Sequence, residues 1–156
     1  MAAGVTLRKG ALAEFRAYLE QTLGEGVAAA RRDDTLRIDA ALSASAANAE
    51  TMAMIARAGP FGAGNPEPIV AFPHHTVVYA DPVGQNHLRV RLKSGDGSFL
   101  NAVAFRAAGQ KLGNALMEGR GRAVHAAGSL SLDRWQGEER LQLRILDVAF
   151  ADGFSP

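Results

Sequence analysis

Residues His87-Leu88-Arg89-Val90-Arg91-Leu92-Lys93 alternate apolar and polar without a break. A period of two fits a strand with one face in a core and the other in water. The same pattern fixes direction. Leu88, Val90 and Leu92 share the inner face, so His87, Arg89, Arg91 and Lys93 share the outer one. Three cations on one face of one strand repel each other, and a strand facing only water gains nothing from that. A phosphate backbone running across them would supply the missing counter-charge. The competing reading is protective charge on an edge strand, a common defence against aggregation.

The surrounding chain supplies a barrel for this strand. Ile69 to Ala80 reads as a strand interrupted by Pro73, and Phe99 to Phe105 as another. Ala107 to Met117 carries Leu112 and Leu116 at helical spacing and ends at Gly119. Arg122 to Leu132 and Leu141 to Phe150 complete the set, the last with Leu141, Leu143 and Ile145 in phase. Three strands, a helix and two strands predict a mainly β chain with a five-stranded Greek-key barrel of the OB type. A β-sandwich has no reason for the helix. Such barrels present their second and third strands to ligand, which puts the basic stripe on the binding face.

A second feature converges on that face. Leu130-Ser131-Leu132-Asp133-Arg134-Trp135-Gln136-Gly137 leads through Glu138-Glu139-Arg140 to Leu141-Gln142-Leu143, a strand, a polar turn and a strand. The only Trp of the chain sits at the turn between Arg134 and Arg140. A flat ring beside positive charge suits stacking on an unpaired base. The alternative is a Trp folded back as a cap on the core.

Residues 1–59 read as helices with short strands. Val5-Thr6-Leu7 is an extended run. Leu12, Phe15, Leu19 and Leu23 recur at helical spacing, with Gly24 and Gly26 as the expected stop. Thr35 to Asp39 alternates like a strand, and Ser45 is the expected cap of a helix through Arg57 with Met52, Ile55 and Ala56 on one face. Pro60 to Pro68 holds three prolines and two glycines, and forms a stiff connector. Its Gly62-x-Gly64 is not a dinucleotide loop, because Pro66 follows and no helix starts there.

Composition narrows the chemistry by what it lacks. With no Cys, disulfides, thiolate metal sites and a Cys nucleophile are excluded. The net charge of +1 argues nothing about an anionic partner; only clustering can. His74, His75, His87 and His125 show no ligand spacing with carboxylates, and Asp33-Asp34 is a solvated turn. No Ser/His/Asp arrangement or phosphate loop is present. No membrane span or secretion signal is visible, so a soluble, cytoplasmic protein is expected. On its residues this is a binding module.

The loop Phe61-Gly62-Ala63-Gly64-Asn65-Pro66-Glu67-Pro68, then Asn86-His87-Leu88-Arg89-Val90, then Leu130-Ser131-Leu132-x-x-Trp135-x-Gly137 with Leu141-Gln142-Leu143 and Asp147-Val148, together resemble the C-terminal part of the RecJ family. These are single-strand-specific 5′→3′ exonucleases of the DHH phosphoesterase superfamily. The start Met1-Ala2-Ala3-Gly4 is similar to the residues after the Gly-Gly-His motif of the family's DHHA1 domain. The resemblance implies a DHHA1 remnant over 1–59, a connector over 60–68 and the OB domain over 69–152. It implies a role in DNA repair and recombination, with single-stranded DNA held by His87, Arg89, Arg91, Lys93, Arg134, Trp135 and Arg140. Catalysis in the family uses Mn²⁺ or Mg²⁺ on Asp and His ligands of a DHH domain. Pro73-His74-His75 is not that motif, so this chain is expected to carry no metal and to act beside a separate catalytic domain. Other repair proteins are further expected partners. One departure is Asp133, where the family's turn usually carries Asn; a carboxylate only accepts hydrogen bonds, which argues against a phosphate contact there. A protein-docking barrel and an RNA-binding barrel remain open alternatives.

Overall fold

The computed structural model describes residues 4–32, 35–135 and 138–153. The chain forms two compact units, Met1–Leu36 and Arg37–Pro156.

The first unit is built on one helix, α1 (Leu12–Arg32). It runs straight through Gly24 and Gly26, where a stop was expected. A helical glycine costs about 1 kcal/mol relative to Ala, and the Val27-Ala28-Ala29-Ala30 run beyond it favours the helix enough to continue. Val5-Thr6-Leu7 forms no strand. Ala11, Phe15 and Leu19 are half-buried, whereas Leu12 and Leu23 are exposed, so the expected apolar stripe is split.

The second unit begins at Arg37. Its first strand, β1 (Ala40–Ala41), lies parallel to β2 (Val70–Val83), with Ala40 beside Val70. The strand expected at Thr35–Asp39 is therefore displaced toward the C-terminus. The Asp39 N–H donates to Ile69 O at 2.8 Å and the Leu42 N–H to Ala71 O at 2.8 Å, which anchors the segment at both ends. Helix α2 (Ala49–Arg57) follows. Its cap is Asn48, whose Oδ1 accepts from the Thr51 N–H at 3.0 Å, and not Ser45. Met52 and Ile55 pack against the barrel core, as their spacing predicts. The Pro/Gly segment after α2 closes on itself. Gly62 and Asn65 exchange backbone hydrogen bonds, and the Asn65 amide donates to the carbonyls of Ala58 and Pro60.

The barrel strands are β2, β3 (His87–Lys93), β4 (Phe99–Ala104), β5 (Ala123–Trp135) and β6 (Glu138–Phe150), with α3 (Lys111–Glu118) between β4 and β5. Their order is β2-β3-β4-β6-β5, and a β2–β5 pairing closes the circle. Only β4 and β6 run parallel; the other barrel neighbours are antiparallel. This is the OB topology expected from the strand-helix order. Phe72, Val77, Leu88, Val90, Leu92, Val124 and Leu143 fill the interior, and Leu116 of α3 plugs one end. Pro73 does not break β2. The β2–β5 ladder skips there, His74 takes φ +52°, and pairing resumes at His75. A bulge is where a strand accepts proline. His74 remains exposed, edge-on to His125 at 4.5 Å, while His75 is buried against Phe72.

Two glycines mark the tightest approaches. A Cβ on Gly113 would stand 1.9 Å from Ala107 O, and one on Gly128, at the β5–β6 bulge, 1.9 Å from Arg144 O. Both obstacles are backbone. Gly113→Ala and Gly128→Ala should each lower barrel stability by at least about 1–3 kcal/mol in urea unfolding. Gly24→Ala, with nothing within 4 Å of its added Cβ, should raise helix content instead. Unchanged midpoints for the two barrel variants would contradict this packing.

Candidate nucleic-acid interface

The inner residues of β3, Leu88, Val90 and Leu92, are fully buried. Register then carries their neighbours outward. Arg89 stands opposite Val103 and Asp81, Arg91 opposite Asn101 and Tyr79, and Lys93 opposite Phe99 and Thr76. On β4, Leu100, Ala102 and Ala104 face the core, so Phe99, Asn101 and Val103 share the outer face with the cations. Phe105, just past the strand, continues the row.

Cations and rings on this face are interleaved. The Arg89 guanidinium lies 5.7 Å from the Tyr79 ring centroid and that of Arg91 4.5 Å from Phe99. Lys93 Nζ is 5.8 Å from the same Phe99 ring, and Arg144 of β6 lies 5.5 Å from Phe105. Phe99 and Phe105 are each about half exposed, at 49% and 48%. Two large rings open to water beside four cations form a surface able to stack flat π-systems and hold anions.

The strands β4 and β6 pair only at Ala102–Leu143 and Val103–Arg144. Before that point β6 leaves β4 and stays with β5 in a hairpin whose register runs to Trp135–Glu138. The departure opens a groove of about 400 Å³. One wall is Tyr79, Arg89, Arg91 and Asn101, and the other Arg140, Leu141 and Gln142. A second hollow of about 430 Å³ is lined by His87, Phe105, Arg106 and Arg144.

The expected site residues are therefore distributed unevenly. Arg89, Arg91 and Arg140 meet in one groove, and Lys93 extends the face past Phe99. His87 has a structural partner: its Nδ1 accepts from the Arg106 N–H at 2.9 Å, and its ring meets Phe105 edge-on at 5.2 Å. Arg106 itself takes φ +53°, and this hydrogen bond holds the turn. The side chains of Arg134 and Trp135 lie outside the described residues. Residue-level reading missed Tyr79, Phe99, Phe105, Asn101, Gln142 and Arg144. The signal was available for Phe99 and Phe105, since alternation through Leu100, Ala102 and Ala104 turns both outward. Arg144 and Gln142 needed the crossing of β6 onto β4, which no local pattern reveals.

The β3–β4 turn is pinned by Asp96. Its carboxylate accepts from the Ser98 hydroxyl, from the Ser98 N–H at 2.9 Å and from the Ser45 hydroxyl at 2.8 Å. These bonds hold its pKa well below the usual carboxylate range, Ser98 contributing most. Ser45, expected as a helix cap, instead ties the segment before α2 to this turn.

The sequence matches the RecJ OB domain family over residues 38–147. The chain belongs to the RecJ OB-domain family. It is 28% identical over 148 residues to the single-stranded-DNA-specific exonuclease RecJ of Dickeya dadantii (strain 3937). That match covers 93% of this chain and 24% of the relative, so the chain spans about a quarter of the exonuclease's length. Among solved structures, the barrel is similar to Entamoeba histolytica asparaginyl-tRNA synthetase, with 16% identity and a TM-score of 0.43, over 56% of this chain and 21% of that one. It is also similar to the mitochondrial single-stranded DNA binding protein Rim1 of S. cerevisiae, with 13% identity and a TM-score of 0.41, over 53% and 91% of the two chains. The family match starts at residue 38, one residue after the start of the second compact unit. In this RecJ OB domain, β1 and α2 thus belong with the barrel.

Asp96→Asn should loosen the β3–β4 turn. The folded-state pKa is depressed, so the carboxylate's contribution is present above the ordinary Asp value of about 3.9 and fades as pH falls below it. Amide exchange at Ser94–Ser98 should be faster in the variant at pH 7, and the difference from the parent should shrink below about pH 4. A difference that grows in acid would contradict this role.

Proposed function

We propose that this barrel is the single-stranded-DNA-binding portion of a RecJ-like 5′→3′ single-strand-specific exonuclease that serves DNA repair and recombination. The observation that carries the reading is the outer face of β2, β3 and β4, where Arg89, Arg91 and Lys93 are interleaved with Tyr79 and Phe99. A single strand offers phosphates and unpaired bases at short intervals, and a surface of alternating cations and rings matches both. A duplex would hide its base faces, so exposed rings would find no partner in it. Family membership and the relative's stated single-strand specificity support DNA as the polymer.

Among the described residues, no group of three or more His, Asp or Glu side chains converges as a metal site would require. The Mn²⁺ or Mg²⁺ of the family's chemistry does not fit this surface. In the proposed arrangement the metal and the hydrolytic step belong to a DHH domain, and the barrel holds the strand so that its 5′ end reaches that domain. No helix of the described residues is long and apolar enough to cross a membrane. The proposed setting is the cytoplasm, beside the chromosome and other repair proteins.

Binding to labelled oligo-dT across a salt series tests the reading. Arg91→Ala should reduce affinity and make the salt slope shallower by about one ion. Phe99→Ala and Phe105→Ala should each cost about 1–3 kcal/mol of binding with the slope nearly unchanged. Trp135→Ala should behave like the Phe variants. No binding at low salt, or binding indifferent to all four changes, would remove the proposal. An RNA oligomer that outcompetes oligo-dT would turn it toward RNA.

A further inference from the structure

The groove between β4 and β6 contains more than charge. Asn101 on β4 and Gln142 on β6 line it from opposite walls, and Val83, Ala102, Val103 and Leu141 supply its apolar surface. A groove that only tracked phosphates would need cations and water. Carboxamides are different, because each presents a donor and an acceptor side by side in one plane. That pairing matches the edge of a nucleobase, whereas toward a phosphate, which only accepts, only the amide N–H₂ would serve. The volume, about 400 Å³, suits one nucleotide and lies in the range of small-ligand pockets.

The arginines complete the fit. Arg89, Arg91 and Arg140 line the same groove, so a phosphate can stay on the cations while its base turns inward toward the amides. Arg91 Nε is buried and has no hydrogen-bond acceptor among the described residues. Its guanidinium rests on the Phe99 ring, 4.5 Å from the centroid, and lines the groove. The register places Asn101 directly opposite Arg91, so the anion-binding and edge-reading groups are cross-strand neighbours.

The geometry points to a base-reading pocket in this groove: one nucleotide of the bound strand is turned in, and Asn101 and Gln142 read its edge, favouring a purine. The preference follows from the edges. In a single strand every base offers its Watson–Crick edge, but a purine adds a second edge, N7 beside N6 or O6, that an amide or a guanidinium can also grip; a pyrimidine has no N7. Adenine suits Asn and Gln, and guanine suits the neighbouring arginines. This inference rests on the proposed single-strand binding and adds base discrimination at one position of it.

The test compares an all-dT oligomer of about 12 nucleotides with the same oligomer carrying one central dA or dG, using the whole chain. The purine-bearing strand should bind at least about fivefold tighter. In the double variant Asn101→Ala/Gln142→Ala that advantage should disappear, the purine-bearing strands binding no more tightly than all-dT to the same variant. Gln142→Leu, which keeps the side-chain bulk, should lose most of the preference as well. Circular dichroism checks that the variants are folded; Asn101 is exposed, Gln142 is partly exposed, and neither lies in the core. Equal affinity of the parent for all three strands would overturn the pocket and leave the DNA-binding proposal standing. A folded double variant that loses all binding would also overturn it, because the amides would then hold the strand and not read it. Failure of every oligomer to bind the parent would sink the underlying proposal as well.

Discussion

Burial of Leu88, Val90 and Leu92 leaves β3 no choice of register. A shift by one residue would drive His87, Arg89, Arg91 and Lys93 into the barrel and three aliphatic side chains into water. Each buried aliphatic contributes roughly 1.5–3 kcal/mol through the hydrophobic effect, and a buried unpaired cation costs several kcal/mol more. The register of β4 against β3 follows, and with it the position of Phe99 beside Arg91 and Lys93. The Asp96 turn shortens the connection between the two strands and fixes it against the Ser45 segment. The composite surface is thus a consequence of how the core is filled.

The other half of the site depends on where a strand changes partners. β6 must pair with β4 to close the barrel, yet it holds that pairing only around Ala102 and Val103. Its earlier residues remain with β5. A long hairpin therefore leaves the barrel wall and forms the second side of the groove, carrying Arg140 and Gln142 across from Arg89, Arg91 and Asn101. The bulge at Gly128 sits on the same ladder, where the backbone of Arg144 comes too close for any side chain. Closure of the barrel and opening of the groove are two results of one bend.

Legibility in the sequence followed the range of the interactions. Period-two alternation gave β3 to the residue and located β4, β5 and β6, with ends off by one to three residues, because burial on one face is a local pattern. The strand-helix order sufficed for the OB topology. Residues whose structure is decided by distant partners were not legible. Ser45 resembles a helix cap, and Asn48 is the cap, because Ser45 is recruited by Asp96 across the fold. Thr35 to Asp39 has a strand's alternation, but the backbone of Ile69 and Ala71 selects Ala40 and Ala41 instead. Gly24 and Gly26 look like breakers, yet the alanines behind them carry α1 through both. At the site, Arg89, Arg91 and Lys93 were readable from phase alone. Asn101 and Gln142 were not, since nothing local says that β6 will face β4 there.

The cations and rings of the face already satisfy each other in the free protein, and this shapes how a ligand can enter. Arg91 and Lys93 share one ring, Phe99, at 4.5 and 5.8 Å. Two like charges beside one ring repel each other, and each exposed cation–π contact is worth only about 0.5–1 kcal/mol. A phosphate offers either cation a charge-assisted hydrogen bond, which is the stronger interaction. When a cation leaves for a phosphate, the Phe99 face becomes free for a base, so one exchange prepares both kinds of contact. The same argument applies to Arg144 and Phe105 at the other end of β4. The resting contacts keep the rings from presenting a bare apolar patch to water or to other chains. They are weak enough to be displaced by a polymer that brings phosphate and base together.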